Sequence, residues 1–154
     1  MITTPAPRMA QVLSAGHRDE LMAVARQVSF PKGTRLFNEG GRADRFWVLR
    51  SGTVALDQSV PGRRAAVIET LGVDELIGWS WLLSPHVWHL GATAASPVHA
   101  WEFDAETVRK MCRDDTALAE EITRWVGQVL AHRLHATRTR LLDLYAPYGS
   151  GTSV

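Results

Sequence analysis

The chain has 154 residues, enough for one domain with its own core and too few for two. Lys and Arg together number 17 against 16 Asp and Glu, a formal charge of +1, so no global field recommends nucleic acid as a partner. The single cysteine, Cys112, excludes an intrachain disulfide and a paired-cysteine metal or redox motif, and its helical surroundings make it a packing residue. No apolar run reaches the length of a membrane span, and residues 1–16 lack a charged-then-apolar leader pattern, so no membrane contact and a cytoplasmic location are expected.

Residues 1–16 carry Pro5, Pro7 and Gly16 with little periodicity and read as a flexible lead-in to a domain over 17–145; residues 146–154, with Pro147, Gly149 and Gly151, read as a flexible tail. Between Asp19 and Val28, apolar Leu21, Met22, Ala25 and Val28 predict a short amphipathic helix. From there to Phe103 the period changes to two. Segments 34–37, 46–50, 53–57, 65–71, 75–77 and 98–103 are short, rich in β-branched and aromatic residues, and separated by Gly, Pro, Asp or Ser. Many short strands with glycine-marked corners predict a jelly-roll barrel, with Pro61-Gly62 at a hairpin tip that carries Arg63 and Arg64. The fold class is therefore mainly β with flanking helices.

Asp104 is placed to cap a helix through Met111 or Cys112, with Glu106 early and Arg109 and Lys110 late, as the helix dipole prefers. A long helix is predicted from Asp115 to Tyr145 with two apolar stripes. Leu118, Ile122, Trp125 and Val129 suit packing on the barrel. Val126, Leu130, Leu134, Thr137, Leu141 and Leu144 follow on a neighbouring face that outruns a small barrel, and the same helix of a second copy is the simplest cover. A homodimer through Val126, Leu130, Leu134, Leu141 and Leu144 is expected, the alternative being a helix folded back on its own barrel. Arg124, Arg133, Arg138 and Arg140 read as a solvated face, with an acidic protein partner as the sharper alternative.

Gly33, the turn Phe37-Asn38-Glu39-Gly40-Gly41-Arg42-Ala43-Asp44, Leu49-Arg50-Ser51-Gly52, Leu71-Gly72 and the segment from Gly78 to Thr93 together resemble the cyclic-nucleotide-binding domain of the catabolite-activator and protein-kinase-A regulatory-subunit family. The resemblance covers residues 17–145. It implies a double-stranded β-helix (jelly-roll) barrel with an N-terminal helix and a long C-terminal dimerisation helix. It also implies a phosphate-binding cassette in which a Glu accepts from the ribose hydroxyl and an Arg pairs with the cyclic phosphate. Trp79 stands at the Glu position and Leu90 at the Arg position. The candidate ligand residues are Gly78, Trp79, Ser80, Trp88, His89, Leu90, Gly91 and Ala92.

The family cassette opens a short helix, here near Ser80 to Leu83, whose free amides would face an anion. Leu90 cannot supply the bidentate arginine bond, and leaving one partner of a buried charge pair unmatched costs roughly 3 to 5 kcal/mol. Binding of cyclic AMP or cyclic GMP is expected to be weak unless His86, His89, Arg63 or Arg64 substitutes. Trp79 and Trp81, two apart on a helix, point about 200° apart, which makes Trp79 the pocket wall and Trp81 core. No nucleophile and base set, phosphate loop or metal-ligand spacing is present, so neither an enzyme nor a metal site is expected. In the transcription-factor branch of the family the long helix leads into a helix-turn-helix module; no residues follow here to build one, and direct DNA binding is not expected.

Three functions remain in view: a regulatory sensing or partner-binding module with a diverged site, a working cyclic-nucleotide receptor with substitute anchors, and a ligand-free dimeric interaction protein whose pocket is plugged by tryptophan. The ligand is unidentified at this level.

Overall fold

A computed structural model describes residues 6–145. In chain order these form α1 (Met9–Val12), α2 (Ala15–Met22), β1 (Arg26–Phe30), β2 (Arg35–Phe37), β3 (Arg45–Ser51), β4 (Val54–Gln58), β5 (Ala66–Leu71), β6 (Leu76–Ile77), β7 (Gly91–Ala94), β8 (Val98–Asp104), α3 (Ala105–Asp114) and α4 (Thr116–Tyr145). The strands make two four-stranded antiparallel sheets, ordered β1-β8-β3-β6 and β2-β7-β4-β5. Leu49, Val54, Leu56, Ala92 and Ala100 are fully or almost fully buried in the core of this jelly-roll barrel.

The β4–β5 hairpin turns through Pro61-Gly62, closed by Arg63 N–H donating to Val60 O at 3.0 Å. Asp104 caps α3 by accepting from Thr107 N–H at 2.9 Å, and that bond holds its carboxyl below the usual range. On α4, Leu118, Ile122, Trp125 and Val129 are fully buried, as their spacing predicts.

Several expectations are corrected. Within the segment read as a flexible lead-in, residues 6–16 pack instead: Ala6, Met9 and Leu13 are buried, and Pro7 O accepts from Trp125 Nε1 at 3.2 Å. Two prolines suggested disorder, but Met9 and Leu13, one helical turn apart, bring enough apolar surface to dock α1 on α4. The helix expected over 19–28 starts earlier and stops at Met22, and Val28 belongs to β1, paired with Ala100 of β8. Val126, placed on the dimer seam by its spacing, is 1% exposed in the chain's own core. The body-facing stripe is wide enough to take both Trp125 and Val126. Arg133, expected on a solvated face, is 8% exposed. The tail over 146–154 lies outside the described residues.

Candidate functional site

The cassette runs from the end of β6 to the start of β7 and contains no helix: Ser80 to Leu82 form a turn, with Leu82 N–H donating to Trp79 O at 3.2 Å. Pro85 offers no amide to extend it, and His86 lies in the left-handed region with φ 59°. The helix expected at Ser80–Leu83 is absent, and with it the row of helix-terminal amides that would have faced an anion.

Aromatic rings fill the space. Gly78 has φ +92°, and a Cβ there would lie 2.7 Å from two carbons of the Trp88 ring, so the indole packs directly on bare backbone. Trp88 stacks on Phe37 with centroids 3.9 Å apart, and Phe37 stacks in turn on Trp47 at 5.8 Å. Trp79 is half-buried and stacks on His89 at 5.0 Å, while His89 Nδ1 lies 3.2 Å from Ser80 Oγ. Trp81 points the other way, fully buried against Phe46 with centroids 4.1 Å apart, and Arg109 Nη1 donates to its main-chain oxygen at 2.7 Å.

What remains between these groups is a cavity of about 20 Å³ lined by Phe37, Leu56, Gly78, Trp79, Ser80, Trp88, His89, Leu90 and Arg133. That is room for roughly a water molecule or two. Six of the residues expected from sequence, Gly78, Trp79, Ser80, Trp88, His89 and Leu90, meet here. Gly91 and Ala92 do not. Ala92 is fully buried between β2 and β4, and the place a Gly91 side chain would take is filled by the Arg35 guanidinium, which is paired with Asp57. Arg63 and Arg64 are exposed on their hairpin, and neither they nor His86 reach the cavity.

Sequence reasoning missed Arg133. Its Nη2 donates to Leu76 O at the start of β6, its Nε has no hydrogen-bond partner among the described residues, and the nearest carboxylate, Glu69, is 4.0 Å away. Burial pushes the Glu69 carboxyl up towards its neutral form, with Arg133 opposing, and burial drives the Arg133 guanidinium down. The signal was available: Arg133 continues the buried stripe one turn beyond Val129.

The cyclic nucleotide implied by the fold does not fit these residues. Among the described residues no carboxylate lines the cavity to take a ribose hydroxyl, Leu90 contributes no charge, and the Arg133 guanidinium spends Nη2 on Leu76 O. Among the described residues no cluster of His, Cys, Asp or Glu could hold a metal ion, and no helix is long and apolar enough to cross a membrane.

The family profile of the cyclic nucleotide-binding domain matches residues 27–115, and the chain belongs to that family. Over 117 residues it is 30% identical to the CRP-like cAMP-activated global transcriptional regulator of Mycobacterium tuberculosis, covering 76% of this chain and 50% of the relative. The chain thus spans about half the length of the curated relatives it matches. A cyclic nucleotide-binding domain from Methylobacillus flagellatus superposes with TM-score 0.77 at 17% identity, over 85% of this chain and 74% of that one. The N-terminal domain of a transcriptional regulator from Streptomyces coelicolor superposes with TM-score 0.66 at 27% identity, over 77% and 85%. The fold is the jelly roll the sequence predicted, and its family is one of regulatory domains.

Proposed function

We propose that this chain is a regulatory module whose cassette has diverged from cyclic AMP and cyclic GMP and is closed by its own side chains. The observation that carries this reading is the cavity of about 20 Å³ lined by Gly78, Trp88 and Leu90, with the Trp88 ring packed on the Gly78 backbone. Output would pass through α4, because Arg133 joins that helix directly to the cassette wall and to the start of β6. A shift in what fills the cavity would then bias α4 between two positions, which is all that signalling requires. The mycobacterial relative is named a cAMP-activated transcriptional regulator; a regulatory role for this chain is inferred from it, and response to cyclic AMP is not.

In this reading the module acts in the cytoplasm, without catalysis and without touching DNA through the described residues. It works as a homodimer through the exposed stripe of α4, Leu134, Leu141 and Leu144, with Val126 removed from that seam by its burial and Leu130 half-buried against the chain's own core. A plugged interaction protein is the limiting case, in which α4 serves a protein partner and the cavity never opens.

A second reading is favoured by one observation, the buried and incompletely paired Arg133 lining the cavity: a receptor in which this guanidinium replaces the missing cassette arginine. Titration calorimetry with cyclic AMP and cyclic GMP separates the two. No heat up to about millimolar nucleotide is expected, and a dissociation constant of about micromolar or tighter for either nucleotide would establish the receptor instead.

A further inference from the structure

Arg133 is 8% exposed, and among the described residues its guanidinium makes one hydrogen bond, from Nη2 to Leu76 O. Nε finds no acceptor there, and the Glu69 carboxylate oxygen stands 4.0 Å away, beyond hydrogen-bond range. Burial also pushes the Glu69 carboxyl up towards its neutral form, which makes it a poor counter-charge. A buried cation left in this state is strongly unfavourable unless an anion joins it.

The space for one is the cassette cavity, which Arg133 lines together with Ser80 and His89. Ser80 is 2% exposed, and its Oγ lies 3.2 Å from His89 Nδ1. With the proton on Nδ1 the imidazole donates to Oγ, and the hydroxyl hydrogen is then free to donate to an acceptor in the cavity. Phe37, Leu56, Trp88 and Leu90 supply apolar wall, and a low-polarity wall strengthens the pull of a guanidinium on an anion.

Size selects the ion. About 20 Å³ takes a particle or two of water size, which admits a halide and refuses phosphate, sulfate or a nucleotide.

We propose that the cassette cavity is a halide site, with a chloride-sized anion held between the Arg133 guanidinium and the Ser80 hydroxyl. The proposal rests on the closed cassette of the preceding reading and names its occupant. Bound there, the ion adds a tie between α4 and the cassette.

The test is thermal unfolding of the full chain in sodium chloride, bromide, sulfate and gluconate at equal ionic strength, each taken as wild type minus Arg133→Met so that general salt effects cancel. For chloride and bromide a saturable rise of about 3 °C is expected, half-complete at about 10 to 100 mM, with none for sulfate or gluconate. Ser80→Ala, which removes a donor to the ion, should need about tenfold more halide, and Glu69→Gln, which removes a competing negative charge, about threefold less. No saturable difference between wild type and Arg133→Met up to about 0.5 M halide, a sulfate response equal to that of bromide, or unchanged half-saturation in Ser80→Ala would each overturn it. Calorimetry with cyclic AMP and cyclic GMP keeps the two readings apart: halide silence without nucleotide binding removes the halide site alone, and nucleotide binding removes the closed cassette with it.

Discussion

Arg133 of α4 donates to the main-chain oxygen of Leu76, the first residue of β6, so the C-terminal helix is bolted to the strand that leads into the cassette. The bolt is electrostatically expensive, because Nε has no hydrogen-bond partner among the described residues and Glu69 stands 4.0 Å off. Removing such a charge relieves desolvation of several kcal/mol, while losing its hydrogen bond leaves the Leu76 carbonyl wanting about 1 to 3 kcal/mol. The two nearly cancel for Arg133→Met, which should hold stability within about 1 kcal/mol in urea titration. Arg133→Glu, facing Glu69 and Glu75, should lose about 3 to 5 kcal/mol. Equal effects of the two substitutions would show that Arg133 is not the buried charge described.

The three tryptophans of the cassette should separate by burial. Trp81 is fully buried and Trp88 5% exposed, so Trp81→Ala and Trp88→Ala should each cost about 3 to 5 kcal/mol. Trp79, half-buried on His89, should cost about 1 to 2 kcal/mol. Restoring the family's anchors with Trp79→Glu and Leu90→Arg should still give no nucleotide binding by calorimetry, since Trp88 remains on Gly78. A gain from that pair alone would mean that Trp88 swings clear without help.

Gly78→Ala tests the plug from below. The new Cβ would lie 2.7 Å from the Trp88 ring at a backbone φ of +92°, two penalties that together should reach about 2 to 4 kcal/mol. Denaturation should show the loss, and quenching by iodide should show Trp88 displaced towards solvent. Unchanged quenching with unchanged stability would place the indole elsewhere.

The barrel was legible in the sequence because its strands are short, β-branched and set off by glycines, which is a local pattern. β1 was not: Leu21, Met22, Ala25 and Val28 fit a helical period, and only pairing of Val28 with Ala100 in β8 decides otherwise. That Trp79 and Leu90 stand in the cassette was readable, but not what packs around them. That depends on how the loop between Gly78 and Trp88 folds back to lay the indole on the glycine, and on Arg133 arriving from α4, a contact between residues far apart in the chain. A lone arginine on a helix reads as solvated until the stripe it continues is followed one turn further.

The distal part of α4 leaves Leu134 58%, Leu141 49% and Leu144 70% exposed, and beyond Arg133 none of its described residues is buried. If a second copy covers this stripe, Leu134→Glu with Leu141→Glu sets charges into an apolar seam. The double variant should sediment as a folded monomer where the wild type sediments as a dimer. An unchanged dimer would move the interface off α4.

His17 links α2 to the start of α4, its Nδ1 lying 2.8 Å from Glu121 Oε2 and its Nε2 3.7 Å from Asp115 Oδ2, with Glu20 adding a third negative charge on its own helix. The bond to Glu121 raises the imidazole above its ordinary 6.5. A raised folded-state value means the stabilisation is fully present below the unfolded value and is lost as pH rises through the folded one. Glu121, held low first by the Ser14 amide, works in the opposite sense and loses its contribution only on acidification. Thermal unfolding should therefore show stability falling as pH rises above about 6.5 in the wild type, and a flatter profile there in His17→Gln. Parallel profiles for the two proteins would show that the His17 contact with Glu121 and Asp115 does not form in solution.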